Sequence, residues 1–270
     1  MLLSLFVSAL LACPVSAQAL GKCERLIATG SPDAPPYLWR DPQDPKRLMG
    51  ANADLLRQAA DELGVTVEFL YAGKRSQAFD EVRTGRMDLL VDAPLNVARL
   101  DVLDYVHPPI VHNDILIWAR HAPTTPFAAV TDLQGHAGAI SAQARLTPAF
   151  ETAAAGLGLE RVPGLTQAFR KLALGEVDYV LAGRYAGMVM VQTLALSADI
   201  GPLPIVVDSP GLHVALSFNS ACNDSWLRGQ LAKKMTESVA SGRSAEVIAR
   251  NLDIWKAQLL QPAEASASDK

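Results

Sequence analysis

The sequence predicts an α/β protein of two similar lobes, each a mainly parallel sheet flanked by helices. Three observations predict it. Apolar, β-branched segments alternate with amphipathic ones in the order β-α-β-α-β, and the series runs twice. The strand segments are apolar almost throughout, as in a parallel sheet covered on both faces. Finally, "AFDEVRTGRMDLLVDA" (Ala78–Ala93) and "AFRKLALGEVDYVLAG" (Ala168–Gly183) carry Ala, Phe, Gly and Asp at the same offsets. Each copy is the helix, turn and strand that completes one half.

Taken in order, "RLIATG" (Arg25–Gly30) is a short buried strand closed by glycine, followed by a Pro- and Asp-rich loop to Gly50. Asn52–Gly64 is a helix, with Asn52 as its cap and Gly64 as its terminator. Val65–Tyr71 alternates and is β-branched, hence a strand. The first copy supplies a helix at Ser76–Thr84, a stop at Gly85 and the strand Met87–Val91. Asp114–Arg120 is a further strand. The second series has a strand at Ala137–Ile140, a helix in Thr147–Gly158, a short strand at Glu160–Leu165 and then the second copy. Leu212–Phe218 is a returning strand, Asp224–Gly242 and Ser244–Trp255 are helices, and 263–270 is a small, polar tail expected to be disordered.

Half of the 270 residues are hydrophobic and 19% are charged, enough for a large core. A net charge of −4, with no stripe of Lys and Arg, excludes nucleic acid as the expected partner. Residues 1–19 join an apolar run to small residues, the pattern of a secretory signal; they are too short to span a bilayer. "LLAC" at Leu10–Cys13 leaves open lipoprotein processing at Cys13. Export makes the remaining pair, Cys23 and Cys222, an expected disulfide.

Ligands of open α/β sheets sit beyond the carboxyl ends of the strands, which puts Asp92–Asn96 and Gly183–Ala186 in one shared crevice. Asp88 and Asp178 precede the strand ends and are expected to hydrogen-bond the turns at Gly85 and Gly175. His107, His112 and His121 have no metal-ligand spacing, and Pro108–Pro109 forbids a helix there, so no metal is expected. No nucleophile elbow, phosphate loop or Cys-x-x-Cys occurs, and no cofactor is expected.

Four segments, "GANADLLRQAADELG", "VRTGRMDLLVDAPLNVARLDVLDYVHPP", "TDLQGHAGAI" and "LALGEVDYVLAG", resemble in order and spacing the periplasmic solute-binding proteins of family 3. The resemblance implies a two-lobe clamp with the type II periplasmic-binding-protein fold. Lobe one would comprise 20–112 and 219–262, and lobe two 113–218, with a hinge near 110–114 and 214–219. It further implies a periplasmic monomer that captures a small polar solute and delivers it to the permease of an ATP-driven importer.

By the same resemblance, Arg99 takes a ligand carboxylate, a task suited to a guanidinium fork. Tyr37, or Trp39 instead, lies against the ligand. The chain also departs from the family's pattern. Asn96 stands where Thr is usual, and the interval from Asp88 to Arg99 is one residue short. Gly183, followed by Arg184, occupies the place of the ammonium-binding Asp. Asp92 and Arg184 are therefore expected to hold a zwitterion with reversed poles or to pair with each other; alternatively, Arg184 and Arg99 clamp an anion together. Ser141 to Arg145, following the first strand of lobe two, offers further donors. Two alternatives stay open. One is a dehydratase-like periplasmic enzyme acting on a cyclic carboxylic acid, with Asp92 as its only acid–base candidate. The other is a ligand-sensing module.

Overall fold

The computed structural model describes residues 23–121 and 127–260. The expected signal (1–19), Cys13 and the expected tail (263–270) lie outside the described residues. The chain begins with β1 (Arg25–Thr29), the short strands β2 (Asp33–Ala34), β3 (Leu38–Arg40) and β4 (Leu48–Met49), and helix α1 (Ala51–Asp61). It continues through β5 (Thr66–Phe69), α2 (Arg75–Arg83), β6 (Leu89–Pro94), β7 (Leu103–Tyr105) and β8 (Val111–His112). Next come β9 (Ile115–Arg120), β10 (Gly138–Ser141), α3 (Pro148–Ala154), β11 (Glu160–Val162), α4 (Leu165–Leu174) and β12 (Tyr179–Gly183). Helix α5 (Arg184–Thr193), β13 (Ile200–Asp208), β14 (Gly211–Ser217), α6 (Ser225–Ala240) and α7 (Arg243–Leu260) complete it.

Two sheets share one plan. The first runs β5-β1-β6-β14-β7, with β8 also on β14, and the second runs β11-β10-β12-β9-β13. In each, three parallel strands are followed by an antiparallel crossing strand, β14 or β9. The two copied aspartates do equivalent work in this plan. Asp88 accepts from the Ile27 N–H at 2.7 Å while its own N–H donates to the Ile27 carbonyl. Asp178 makes the same exchange with Ala137, its carboxylate 3.0 Å from that N–H. Each therefore ties the entry of a copied strand to its neighbour in the sheet, rather than bonding the turn. The turn glycines Gly85 and Gly175 have φ of 77° and 75°, which ends each helix in a left-handed residue.

Three further assignments differ from the sequence reading. Asn52 does not cap α1. Gly50 does, at φ 138°, and Asn52 is fully buried, its amide donating to the Val91 carbonyl at 2.8 Å. A side chain at position 50 would collide with the Tyr37 backbone, so glycine takes the cap and Asn52 is free to pin α1 to β6. Strand β14, expected within lobe two, pairs with β6 and β7 and belongs to the first sheet. Its apolar residues Val214 and Leu216 pack into the core that α1, α6 and α7 cover. Strand β13 has no counterpart in the sequence reading; it contains Pro202 and Pro204 and sits at a sheet edge, where a missing N–H is tolerated.

Helices α6 and α7 pack on α1, where Asn251 and Arg250 both donate to the Asp54 carboxylate, at 2.9 and 3.2 Å. The C-terminal segment thus completes the first lobe. The expected disulfide joins Cys23 to Cys222, with Cα atoms 5.3 Å apart. In the second lobe, Trp118 and Phe169 meet edge to face at 5.5 Å in the core. Among the described residues, no helix is long and apolar enough to cross a membrane.

Candidate functional site

The chain crosses between the lobes at 113–114 and 209–210, and the two crossings are linked where the Asn113 N–H donates to the Pro210 carbonyl at 3.0 Å. A cavity of about 320 Å³ lies between the lobes, beside these crossings. Tyr37, Arg75 and Asp92 face it from the first lobe, Asn113 from a crossing, and Ser141 and Arg145 from the second lobe.

Asp92 reaches the cavity because β6 is central in its sheet and runs on to Pro94, carrying the carboxylate to the strand's end. It is 8% exposed, and one oxygen accepts the Ser31 N–H at 3.0 Å. Gly30 makes room for it, since a Cβ there would fall 2.6 Å from the other oxygen. Burial holds the Asp92 pKa above the usual carboxylate range, opposed by Arg75, by the Ser31 N–H and by Arg99.

Arg75 opens helix α2, its Nε and Nη2 lying 3.4 and 3.3 Å from the Ser31 hydroxyl. Ser31 thereby bridges the cation and the carboxylate. Arg145 follows β10 on the other lobe. Its pKa is held down first by burial and then by two positive neighbours, Arg75 and Arg99. Ser141 is buried at the end of β10, and its hydroxyl accepts from the Gln143 N–H at 3.1 Å. Helices α2, α4 and α5 all begin at the cavity wall, at Arg75, Gly164 and Gly183. Their N-terminal dipoles add positive potential to that of the guanidinium groups.

Tyr37 lines the cavity, but its hydroxyl donates to the His112 carbonyl at 2.9 Å and its ring meets Tyr185 of α5 edge to face at 5.5 Å. It therefore also packs the lobes together. Burial raises its pKa.

Four expected site residues lie elsewhere. Trp39 is buried against the C-terminal helix, its Nε1 donating to Gln258 Oε1 at 2.9 Å. Asn96 caps the turn Val97–Arg99 by accepting the Ala98 N–H, which keeps its side chain local. Arg99 stacks over Phe79, 4.4 Å from the ring centroid, and touches a small void behind Arg75 and Asp92 rather than the main cavity. Arg184 pairs with Asp114 at 3.0 Å, not with Asp92, and Ser209 donates to the same carboxylate at 2.7 Å. Each found a closer partner that the sequence did not reveal.

Conversely, Arg75 and Asn113 were missed. A signal for Arg75 existed: the ninety-residue repeat maps Lys74 and Arg75 onto Gly164 and Leu165, and both of the latter line the cavity. The starts of the copied helices, as well as the ends of the copied strands, meet at the cleft.

Solved structures share this architecture. A histidine kinase sensor domain with similarity to periplasmic binding proteins matches at 24% identity and TM-score 0.63, covering 86% of this chain and 97% of the other. Substrate-binding domain 2 of GlnP from Lactococcus lactis, in an open conformation, matches at 17% and 0.64, covering 86% and 97%. An amino acid ABC transporter substrate-binding protein from Streptococcus pneumoniae, bound to L-arginine, matches at 22% and 0.60, covering 85% and 94%. At such identities the likeness establishes the fold, a two-lobe type II periplasmic-binding-protein clamp. No curated protein matches the sequence significantly. Over residues 26–253 the sequence matches the bacterial extracellular solute-binding proteins, family 3, and the chain belongs to that family.

Proposed function

We propose that the protein is an exported receptor that closes on a small anionic solute and hands it to the membrane permease of an ATP-driven importer. One observation carries this reading: Arg75 from the first lobe and Arg145 from the second face one cavity between them. The moving bodies are the first sheet with α1, α2, α6 and α7, and the second sheet with α3, α4 and α5; the crossings at 113–114 and 209–210 serve as the hinge. Closure removes the solute from water, where charge-assisted hydrogen bonds to guanidinium groups gain strength. Asp92 accepts the Ser31 N–H while Arg75 donates to the Ser31 hydroxyl, so one residue holds both charged groups at the cavity wall.

The test begins with thermal unfolding of the purified protein against a panel of anions, amino acids and polyamines. A ligand that binds only the folded state at 100 times its Kd adds about 2.7 kcal/mol of stability. For a ligand so found, Arg75→Gln and Arg145→Gln should each weaken binding by about ten- to a hundredfold in calorimetry, the worth of a charged hydrogen bond. Arg145→Gln should leave the unliganded melting temperature close to that of the wild type, whereas Arg75→Gln also takes the cation from beside buried Asp92 and should lower it. Wild-type affinity in both variants would remove the anion clamp.

A second reading, a sensor that reports occupancy to a membrane partner, is favoured by the likeness to the kinase sensor domain. Deleting the gene separates the two readings, because an importer receptor is needed for uptake of the solute, whereas a sensor is needed only for the response to it. Recovery of the ligand unchanged after incubation excludes the enzymatic alternative.

A further inference from the structure

We infer that the cleft selects a small dicarboxylate that carries no ammonium group; this deepens, and rests on, the anion-receptor reading above. The carboxylates that face the cavity, Asp33 and Asp92, both come from the first lobe. Asp33 is exposed on β2, and Asp92 is already engaged by the Ser31 N–H and the field of Arg75. The polar side chains of the second lobe at the cavity are Ser141, Gln143 and Arg145, with no acid among them.

At Gly183 the copied strand of the second lobe delivers only backbone to the cleft. The space a side chain there would take is filled by Asn113, whose Oδ1 lies 2.7 Å from where the Cβ would be. A neutral amide, not an acid, thus fills this part of the cleft wall. An ammonium closed into this cavity would face Arg75 and Arg145 with no acid on the second lobe; of the first lobe's acids, Asp33 lies exposed on β2 and Asp92 is engaged by Ser31, so the deep part of the cleft offers it no carboxylate of its own. Two carboxylates, by contrast, give each guanidinium its own partner, one on each lobe. The Ser141 hydroxyl and the N-terminus of α4 supply further donors. A cavity of about 320 Å³ is at the small end for ligand sites, which suits a chain of few carbons.

Calorimetry with matched pairs tests this on the purified protein: glutarate against L-glutamate, and succinate against L-aspartate. Within each pair the skeleton and both carboxylates are the same, and only the ammonium differs. The dicarboxylate should bind at least about tenfold more tightly than its amino-acid partner. Asn113→Asp, which is isosteric and places a carboxylate beside Gly183, should shrink that ratio by about tenfold. Equal or tighter binding of the amino acids overturns the inference and leaves an anion receptor standing. So does a panel in which both pairs are inert while a monocarboxylate or a phosphate ester raises the melting temperature. A panel flat throughout overturns both readings.

Discussion

Replacing both cysteines of the bridge, in the double variant Cys23→Ser/Cys222→Ser, is expected to lower the free energy of unfolding by about 5 kcal/mol. The magnitude follows from the loop that the bridge closes. Cys23 and Cys222 are 199 residues apart in sequence, and cross-linking so long a loop removes about that much chain entropy from the unfolded state in the loop-closure model. The position matters as well. The bridge joins a residue two positions before β1 to the turn before α6, and so ties the start of the first lobe to the segment that returns to complete it. Since neither cysteine faces the cavity, the variant should keep its ligand affinity wherever it remains folded. Urea unfolding of the oxidised protein and of the variant measures the difference, and a thiol assay on the unreduced protein should find Cys23 and Cys222 unreactive. A loss under about 1 kcal/mol, or two reactive thiols at these positions, would show that the bridge does not constrain the chain.

What the sequence made legible follows from how local each cause is. Helix and strand segments with clear apolar periods were readable, because burial of one face is written in the residues themselves. The repeat was readable for the same reason: helix, left-handed glycine and apolar strand recur as a unit. Strand β13 was not, since its two prolines argue locally against a strand and only its place at the edge of the sheet permits them. The small sheet of β2, β3 and β4 was hidden in a loop rich in proline and aspartate.

At the candidate site, the rule that ligands meet strand ends singles out Asp92 and Ser141, and the run that follows singles out Arg145; all three line the cavity. That rule says nothing about which partner a long side chain chooses. Arg99 and Arg184 have the reach and charge for the cleft, yet Phe79 and Asp114 hold them away from it. Those contacts span 20 and 70 positions of sequence and depend on packing alone. Arg75 was overlooked for the complementary reason. It lies at the start of a helix, where a lone arginine reads as solvated until the fold brings the helix end to the crevice.

Acid should destabilise the protein in a window set by one buried histidine. His213 lies on β14, three residues past the crossing, and is 5% exposed. Its ring meets His107 at 4.8 Å and Tyr105 at 5.7 Å, and its Nδ1 has no hydrogen-bond partner among the described residues. Burial pushes its pKa down from 6.5 to about 4, and the nearby His107 and His112 add to the shift. Because the folded pKa lies below the unfolded one, the unfolded state binds a proton that the folded state refuses between those values. Stability is therefore full above pH 6.5 and falls as the pH drops toward 4, by roughly 3 kcal/mol in all.

Paired carboxylates act lower on the scale. Glu62, whose pKa Lys234 holds down, loses its contribution only as the pH falls through its unfolded value of 4.5 and below. The raised pKa of Asp92 works in the opposite direction, since its folded form takes up a proton first. Both effects cancel when wild type is compared with His213→Asn. Urea unfolding of the two proteins at about pH 7.5, 5.5 and 4.5 should show the wild type losing stability relative to the variant at each acid step, most steeply below about pH 6. Parallel curves would mean that His213 titrates as it does in the unfolded chain, and that β14 opens readily enough at the crossing to hydrate its ring.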